Sequence, residues 1–328
     1  MNQQTDWNKL HRDAFRGARC LVTGGAGFIG SHVVEALSAL GAHVVVFDNL
    51  VGGERKNAER FKPEFVEGSI LDEKVLARAA RDCRCVFHLA ALGSVPHSVE
   101  QPLEYHEVDA TGTLRVLEAA RRAGAQRVMY SASSSAYGES EDLPKRETMA
   151  PHSLSPYASA KLAGEAYMSA YAGCYGIDTV SLRYFNIFGP RQNPNSAYAA
   201  VIAAFAKAIT AGKPPTIFGD GEQSRDFTFV HNAVHANLLA ARATGKLKGD
   251  VVNVACGVRV SLNELAPMMC EMFGRPDLRP VHAPERAGDV KHSQAELSKV
   301  RQVLGYDPIV NFRDGLRATV DWYKQVLR

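Results

Sequence analysis

The stretch Leu21-Val22-Thr23-Gly24-Gly25-Ala26-Gly27-Phe28-Ile29-Gly30 limits the fold more than any other part of the chain. An apolar run, Cys20 to Val22, leads into three evenly spaced glycines, Gly24, Gly27 and Gly30. An apolar-periodic segment, Phe28 to Leu40, follows. This order is a strand, a tight turn and a helix. Glycines there let the backbone turn sharply, approach a pyrophosphate and pack helix against strand. Free N–H groups at the helix N-terminus, and the helix dipole, favour phosphate at the same point. The spacing is G-x-x-G-x-x-G, not G-x-G-x-x-G. Alone, it fits an ordinary turn equally well; the strand before it and the helix after it make it a dinucleotide fingerprint.

A second signal completes that site. The apolar run His43 to Phe47 ends in Asp48-Asn49, eighteen residues after Gly30. A carboxylate at the end of the second strand accepts hydrogen bonds from a ribose diol and repels a 2′-phosphate, which favours NAD. Arg55 and Lys56 lie close by and leave NADP open.

The rest of the chain alternates strands and helices, with strands at Phe65–Gly68, Cys85–Leu89, Arg127–Ser131, Thr179–Tyr184 and Val251–Ala255. Helices are expected over 5–15, 28–40, 71–81, 103–123, 155–175, 199–211, 233–243, 261–273 and 314–327, and a loop over 90–101. Such alternation implies right-handed βαβ units and a parallel sheet. The fold class is therefore α/β: a Rossmann-type doubly wound parallel sheet with a smaller, discontinuous α/β substrate-binding cap. We expect residues 1–184 to form the nucleotide domain, with 225–255 returning to it, and 185–224 and 256–328 to form the cap. A hydrophobic share of 46% supplies a core, and a net charge of +3 gives no reason to invoke nucleic acid or a membrane surface. No apolar run approaches the ~18 residues needed to span a bilayer. The six cysteines are scattered, without metal spacing, so no metal is expected. Together with a polar N-terminus lacking a signal-peptide core, they suggest a reduced, cytoplasmic protein.

Tyr157 and Lys161 are four apart on an expected helix and share one face. An ammonium beside a phenol favours the phenolate and lowers its pKa from about 10 toward neutrality, making Tyr157 a general base. Ser133 stands twenty-four residues upstream at a strand end. Its hydroxyl can donate to one oxygen and accept from another group without changing charge.

Motifs along almost the whole chain resemble an extended short-chain dehydrogenase/reductase, and within it the UDP-sugar 4-epimerases of the UDP-N-acetylglucosamine/UDP-glucose type. They are residues 23–32, Asp48-Asn49-Leu50, His88-Leu89-Ala90-Ala91, the serines 133–135, Ser155-Pro156-Tyr157-Ala158-Ser159-Ala160-Lys161, residues 183–191, residues 219–227, and Arg286-Ala287-Gly288-Asp289. The resemblance implies that Tyr157 is the base on the sugar 4-hydroxyl, Lys161 its electrostatic partner and a ribose ligand, and Ser133 its hydroxyl assistant, with Tyr157 and Lys161 both also contacting the cofactor. Gly24, Gly27, Phe28, Ile29 and Gly30 would hold the pyrophosphate of NAD, and Asp48 and Asn49 its adenosine ribose. Ser69 and Ile70 would lie by the adenine, Leu89, Ala90 and Ala91 along the cofactor channel, and Tyr184 by the nicotinamide. On the substrate side stand Gly93, Ser94, Ser134, Asn186, Ala200 and Val201. Arg225 and Arg286 would pair with the UDP-sugar diphosphate, Asp289 would take the uridine ribose, and Ser293 would form the gate beside the sugar. A homodimer through helices 103–123 and 157–175 is also implied.

Three positions depart from the usual pattern. Ser69 replaces an aspartate, Asp109 replaces an asparagine, and His97 replaces an arginine; no catalytic role is assigned to His97. Among sister families, 4,6-dehydratases carry Asp-Glu where Ser134-Ser135 stand, and decarboxylases carry glutamate at Ser135. Elimination needs an acid on the leaving hydroxyl, so the serines favour epimerisation. Ser293 stands where glucose-only relatives carry tyrosine, and a small residue leaves room for a 2-acetamido group. A UDP-glucuronate 4-epimerase, another nucleotide-sugar dehydratase, decarboxylase or reductase, and a non-enzymatic NAD-binding regulator remain alternatives.

Overall fold

Val44, Val45, Val46 and Phe47 are all buried, yet successive side chains of a strand point to opposite faces. Val44 and Val46 join one hydrophobic cluster, and Val45 and Phe47 another. A strand covered on both sides reads as an unbroken apolar run, and this one is typical of its sheet. In the computed structural model, which describes residues 5–140, 142–195, 200–285 and 291–327, seven strands form it. They are β1 (Arg19–Thr23), β2 (His43–Asp48), β3 (Glu64–Glu67), β4 (Cys85–His88), β5 (Arg127–Ser133), β6 (Asp178–Tyr184) and β7 (Asp250–Val254). Every pairing is parallel, in the order β7-β6-β5-β4-β1-β2-β3. The order reverses at β1, between β2 and β4, which opens a crevice at the carboxyl ends of these strands.

One cluster packs helices Phe28–Ala39 and Val230–Arg242 against the sheet, and the other packs Glu73–Ala80, Gly112–Arg122 and Pro156–Tyr175 on the opposite face. A third gathers Phe188, Phe205, Phe229, Met269, Leu316 and Tyr323 away from the sheet. Short strand pairs accompany it: Ile187–Phe188 with Thr228–Phe229, Ser224–Asp226 with Arg259–Ser261, and Thr216–Phe218 with Val281–Ala283. Within the range expected of the cap, Ala295, Leu297, Val300, Leu304 and Tyr306 pack instead with the first cluster. Helix Ser298–Leu304, which the sequence reading omitted, carries this contact to β7.

Three local expectations change. The N-terminal helix covers only Trp7–His11, because Arg12 adopts a left-handed φ of 50° and stops it. The loop expected over 90–101 contains a helix, Val95–Glu100. Ser94 caps it by accepting from His97 N at 3.2 Å, and Pro96 lies in its first turn. The helix expected over 103–123 widens to a π-turn at His106–Thr111, a form often found beside functional sites.

Candidate active site

Gly24 turns with φ +69°, and its N–H donates to Phe47 O at 2.8 Å. A Cβ there would sit 2.7 Å from Ala90 N, and one on Gly30 would sit 2.0 Å from Gly24 O. Both glycines are therefore fixed by close backbone approach. The following helix begins after Gly27, which has no side chain to cap it. The first-turn amides of Phe28, Ile29 and Gly30 thus lack a side-chain cap, and these residues line the cavity. Asp48 is buried at the end of β2, where its carboxylate accepts from Ala26 N at 2.9 Å and Leu50 N at 2.8 Å. Each oxygen keeps lone-pair capacity for a further donor. A pyrophosphate cradle beside a fixed carboxylate fits a dinucleotide with a free ribose diol.

The helix carrying Tyr157 and Lys161 is anchored at several points. Ser155 accepts from Ala158 N at 3.1 Å, and Pro156 opens the first turn. Glu165 and Arg183 form a buried two-armed ion pair at 2.8 and 2.7 Å, tying the helix to β6. A Cβ on Gly164 would meet the Tyr130 hydroxyl at 2.3 Å, so the helix approaches β5 closely there. Lys161 Nζ consequently reaches Ser131 O at 3.1 Å and lies 5.9 Å from the Tyr157 ring centre. At the end of β5, Ser133 Oγ accepts from Ser135 N at 3.2 Å and from Ser135 Oγ at 2.9 Å.

The charges differ from expectation. Burial pushes the Tyr157 phenol up to about 12; a hydrogen bond with Ser133 opposes this, while Asp109 and Tyr105 add to it. Burial also pushes Lys161 down, against Asp109 and Glu165. The protein's own groups therefore do not bring Tyr157 toward neutrality, because burial outweighs them. Asp109, in the π-turn, is 1% exposed. One oxygen accepts from Leu92 N at 2.8 Å, and the other has no partner. Burial raises its carboxyl to about 6, with Lys161 and the Leu92 amide pulling the other way.

The two halves share one cavity of about 950 Å³. It is lined by Gly24, Gly27, Phe28, Ile29, Gly30, Asp48, Asn49, Ser69, Ile70, Leu89, Ala90, Ala91, Gly93, Ser133, Ser134, Tyr157, Lys161, Tyr184, Asn186, Arg225 and Ser293. Some of these groups also hold the fold. Tyr184 OH accepts from Asn237 Nδ2 at 2.6 Å, Asn186 Nδ2 donates to Asp226 O at 3.2 Å, and Arg225 Nη1 donates to Ser224 O at 3.1 Å and Lys291 O at 3.0 Å. Ser69 Oγ accepts from Leu71 N at 3.2 Å. Ser94 is set back as the helix cap, and Ala200 and Val201 stand at the start of helix Val201–Thr210, outside the cavity lining. Arg286 and Asp289 lie outside the described residues. Sequence reasoning missed Gly53, Lys145 and His292, which also line the cavity. Gly53 had a readable signal, the Gly52-Gly53 pair: a Cβ there would lie 2.7 Å from Ala26 C.

A doubly wound parallel sheet with this glycine turn, and a tyrosine–lysine pair beside a serine, defines an extended short-chain dehydrogenase/reductase. The sequence profile of the NAD dependent epimerase/dehydratase family matches residues 20–255, and the chain belongs to that family. Its cofactor is NAD. A UDP-glucose 4-epimerase of Mycolicibacterium smegmatis is 39% identical over 312 residues, covering 93% of this chain and 98% of that one. The structure of a UDP-N-acetylglucosamine 4-epimerase from Methanobrevibacter ruminantium, in complex with UDP-N-acetylmuramic acid, superposes with a TM-score of 0.90 at 38% identity, covering 95% and 100% of the two chains. That of Thermus thermophilus UDP-glucose 4-epimerase, in complex with NAD, gives 0.84 at 37%, covering 93% and 99%. Among the described residues, no helix is long and apolar enough to cross a membrane.

Proposed function

We propose that the protein is an NAD-dependent UDP-sugar 4-epimerase that interconverts UDP-GlcNAc and UDP-GalNAc, with UDP-Glc and UDP-Gal as a second pair. The observation that carries this reading is that Tyr157, Ser133 and Lys161 line the same cavity as the glycine turn and Asp48. When bound, NAD supplies a hydride acceptor and donor for sugar C4, together with a positive charge beside Tyr157. Tyr157 takes the 4-hydroxyl proton and returns it to the opposite epimer. A phenol held near 12 by burial needs positive charge nearby to act as a base at neutral pH. Ser133 holds the same hydroxyl in line, and Lys161, with its ammonium 5.9 Å from the Tyr157 ring centre, is the electrostatic partner of the phenol and a ligand of the cofactor ribose. Asn186, Arg225 and Arg286 hold the diphosphate, about which the oxidised sugar turns to present its other face. Asp289 takes the uridine ribose.

The 2-acetamido assignment rests on Ser293. Its N–H donates to Ser224 O at 3.0 Å, fixing the segment, and its small side chain lies on the cavity wall. No acid stands at Ser134 or Ser135 to expel a hydroxyl, which favours epimerisation over dehydration. The third hydrophobic cluster supports a cap over 185–224 and 256–328, with 295–306 joined to the sheet side and Phe227, Phe229 and Val230, from the expected return 225–255, joined to the cap. We also propose a homodimer through helices 103–123 and 157–175, the second of which exposes Tyr167 and Tyr175.

The test is incubation with UDP-GlcNAc and, separately, UDP-Glc, with products resolved by NMR. Formation of UDP-GalNAc supports the assignment. Formation of UDP-Gal alone keeps the chemistry and removes the N-acetyl reading.

A further inference from the structure

A buried carboxylate normally pairs both oxygens, because an unpaired one keeps the full cost of its lost hydration. Asp109 pairs one. It is 1% exposed, its Oδ1 accepts from Leu92 N, and its Oδ2 has no partner among the described residues.

The fold fixes this carboxylate from two sides. Thr113 Oγ1 donates to Asp109 O at 2.5 Å, so it accepts from His88 Nε2 at 3.0 Å, and His88 Nδ1 accepts from Thr23 Oγ1 at 2.8 Å. This relay ties the main chain of Asp109 to β4 and β1. Four residues earlier on the same helical stretch, Tyr105 OH accepts from Ser94 N at 3.1 Å, and its ring meets the Tyr157 ring edge-on with centres 6.3 Å apart. Tyr105 and Asp109 thus hold two amides of one loop, whose residues Leu92 and Gly93 line the cavity. The π-turn that carries Asp109 packs against the helix that carries Tyr157 and Lys161.

The ionisable groups around Asp109 are engaged elsewhere or point to solvent. On helix Pro156–Tyr175, Lys161 Nζ donates to Ser131 O, and Glu165 is held by Arg183. On β5, Tyr130 OH donates to Lys161 O at 3.4 Å. On β4, His88 is neutral, because burial lowers it to about 3. On its own helical stretch, Glu104, His106 and Glu107 are exposed, and His97 from the preceding helix lies against Tyr105 with ring centres 5.7 Å apart. A negative charge makes any nearby proton harder to remove, so the Asp109 carboxylate pushes up both the Tyr157 phenol and the Lys161 ammonium.

We propose that Asp109 is a positioning residue for the reaction: it holds the loop wall of the cavity through Leu92 and, as an anion against the tyrosine–lysine helix, opposes the phenolate of Tyr157, so that turnover spans a higher pH range than a neutral side chain there would set. This inference rests on the epimerase reading, in which Tyr157 is the base.

Asp109→Asn keeps an oxygen for Leu92 N, so it removes the charge and leaves the hold. We would follow kcat for UDP-GlcNAc and UDP-Glc from about pH 5 to about pH 10, with NAD, in the wild type, Asp109→Asn and Asp109→Ala. The Tyr157 phenolate is titrated separately by ultraviolet absorbance in the NAD-loaded protein, against Tyr157→Phe with and without Asp109→Asn. We expect both limbs of the kcat profile, and the onset of the phenolate, to move down by ~1 unit in Asp109→Asn while the plateau stays within ~3-fold. Asp109→Ala shows the same displacement and a lower plateau, because Leu92 N also loses its acceptor. A loss of plateau in Asp109→Asn with the limbs in place overturns the inference, since a merely structural role predicts it, and leaves the epimerase reading intact. So does a phenolate onset that Asp109→Asn leaves unmoved. Turnover of neither sugar by the wild type overturns the epimerase reading and the inference with it.

Discussion

The nucleotide end of the cavity is built from backbone. Gly24, Gly27 and Gly30 present amides and close approaches within one continuous turn, and the side chain that matters, Asp48, is pinned by two main-chain N–H groups. The sugar end is built from side chains brought from distant segments: Tyr157, Asn186, Arg225 and Ser293. A backbone site admits little change, because a Cβ on Gly24 or Gly30 collides with main chain. A side-chain site changes its ligand with one substitution and keeps its fold. The shared chemistry belongs to the first end, and substrate choice to the second.

The sharpest break is at the join between them. Tyr157→Phe removes the proton acceptor, and kcat for epimerisation is expected to fall ~10³-fold or more while NAD content is retained. Retained turnover would remove Tyr157 from the chemistry. Gly30→Ala tests the backbone end: its Cβ would lie 2.0 Å from Gly24 O. The expected outcome is loss of bound NAD and a lower Tm, read by nucleotide release and thermal unfolding. Full NAD content in a folded variant would show that the turn is not held by contact. Ser293→Tyr tests the side-chain end, where the kcat/KM ratio for UDP-GlcNAc over UDP-Glc should drop ~10–100-fold as the acetamido group is crowded out. An unchanged ratio would place the gate elsewhere.

The smallest effect lies beneath both ends. The Asp109 carboxyl is raised from 3.8 to about 6 by burial. The native state thus binds more protons than the unfolded state over this window, and stability falls as pH rises from about 4 to about 6. Asp109→Asn removes the slope. We expect it to gain roughly 3 kcal/mol on the wild type at pH 8 relative to pH 4, measured by urea unfolding. Parallel curves would show that Asp109 does not carry this charge cost.

The same contrast explains what was legible in the sequence. The strands of the sheet were readable because burial on both faces leaves unbroken apolar runs such as His43–Phe47. The glycine turn was readable because steric constraint writes itself as glycine. Lys145 and His292 were not, since their place in the cavity comes from bridges to Ala295 and Ser224 across the chain. Nor was the state of Tyr157: spacing sets Lys161 on its face, but the burial that raises the phenol comes from packing across the chain. The helix at Val95–Glu100 is not evident although Ser94 and Pro96 signal a helix start, because Gly93, Ser94 and Pro96 together also read as a loop.

The central claim is that one cavity oxidises and re-reduces the same sugar carbon without net consumption of cofactor. The most direct measurement follows UDP-GlcNAc by NMR while the absorbance of reduced nicotinamide is recorded in the same sample. The account predicts a steady approach to a mixture of the C4 epimers with no accumulation of reduced cofactor. Accumulation of reduced cofactor in proportion to an oxidised sugar product, or no epimer at all, would contradict it.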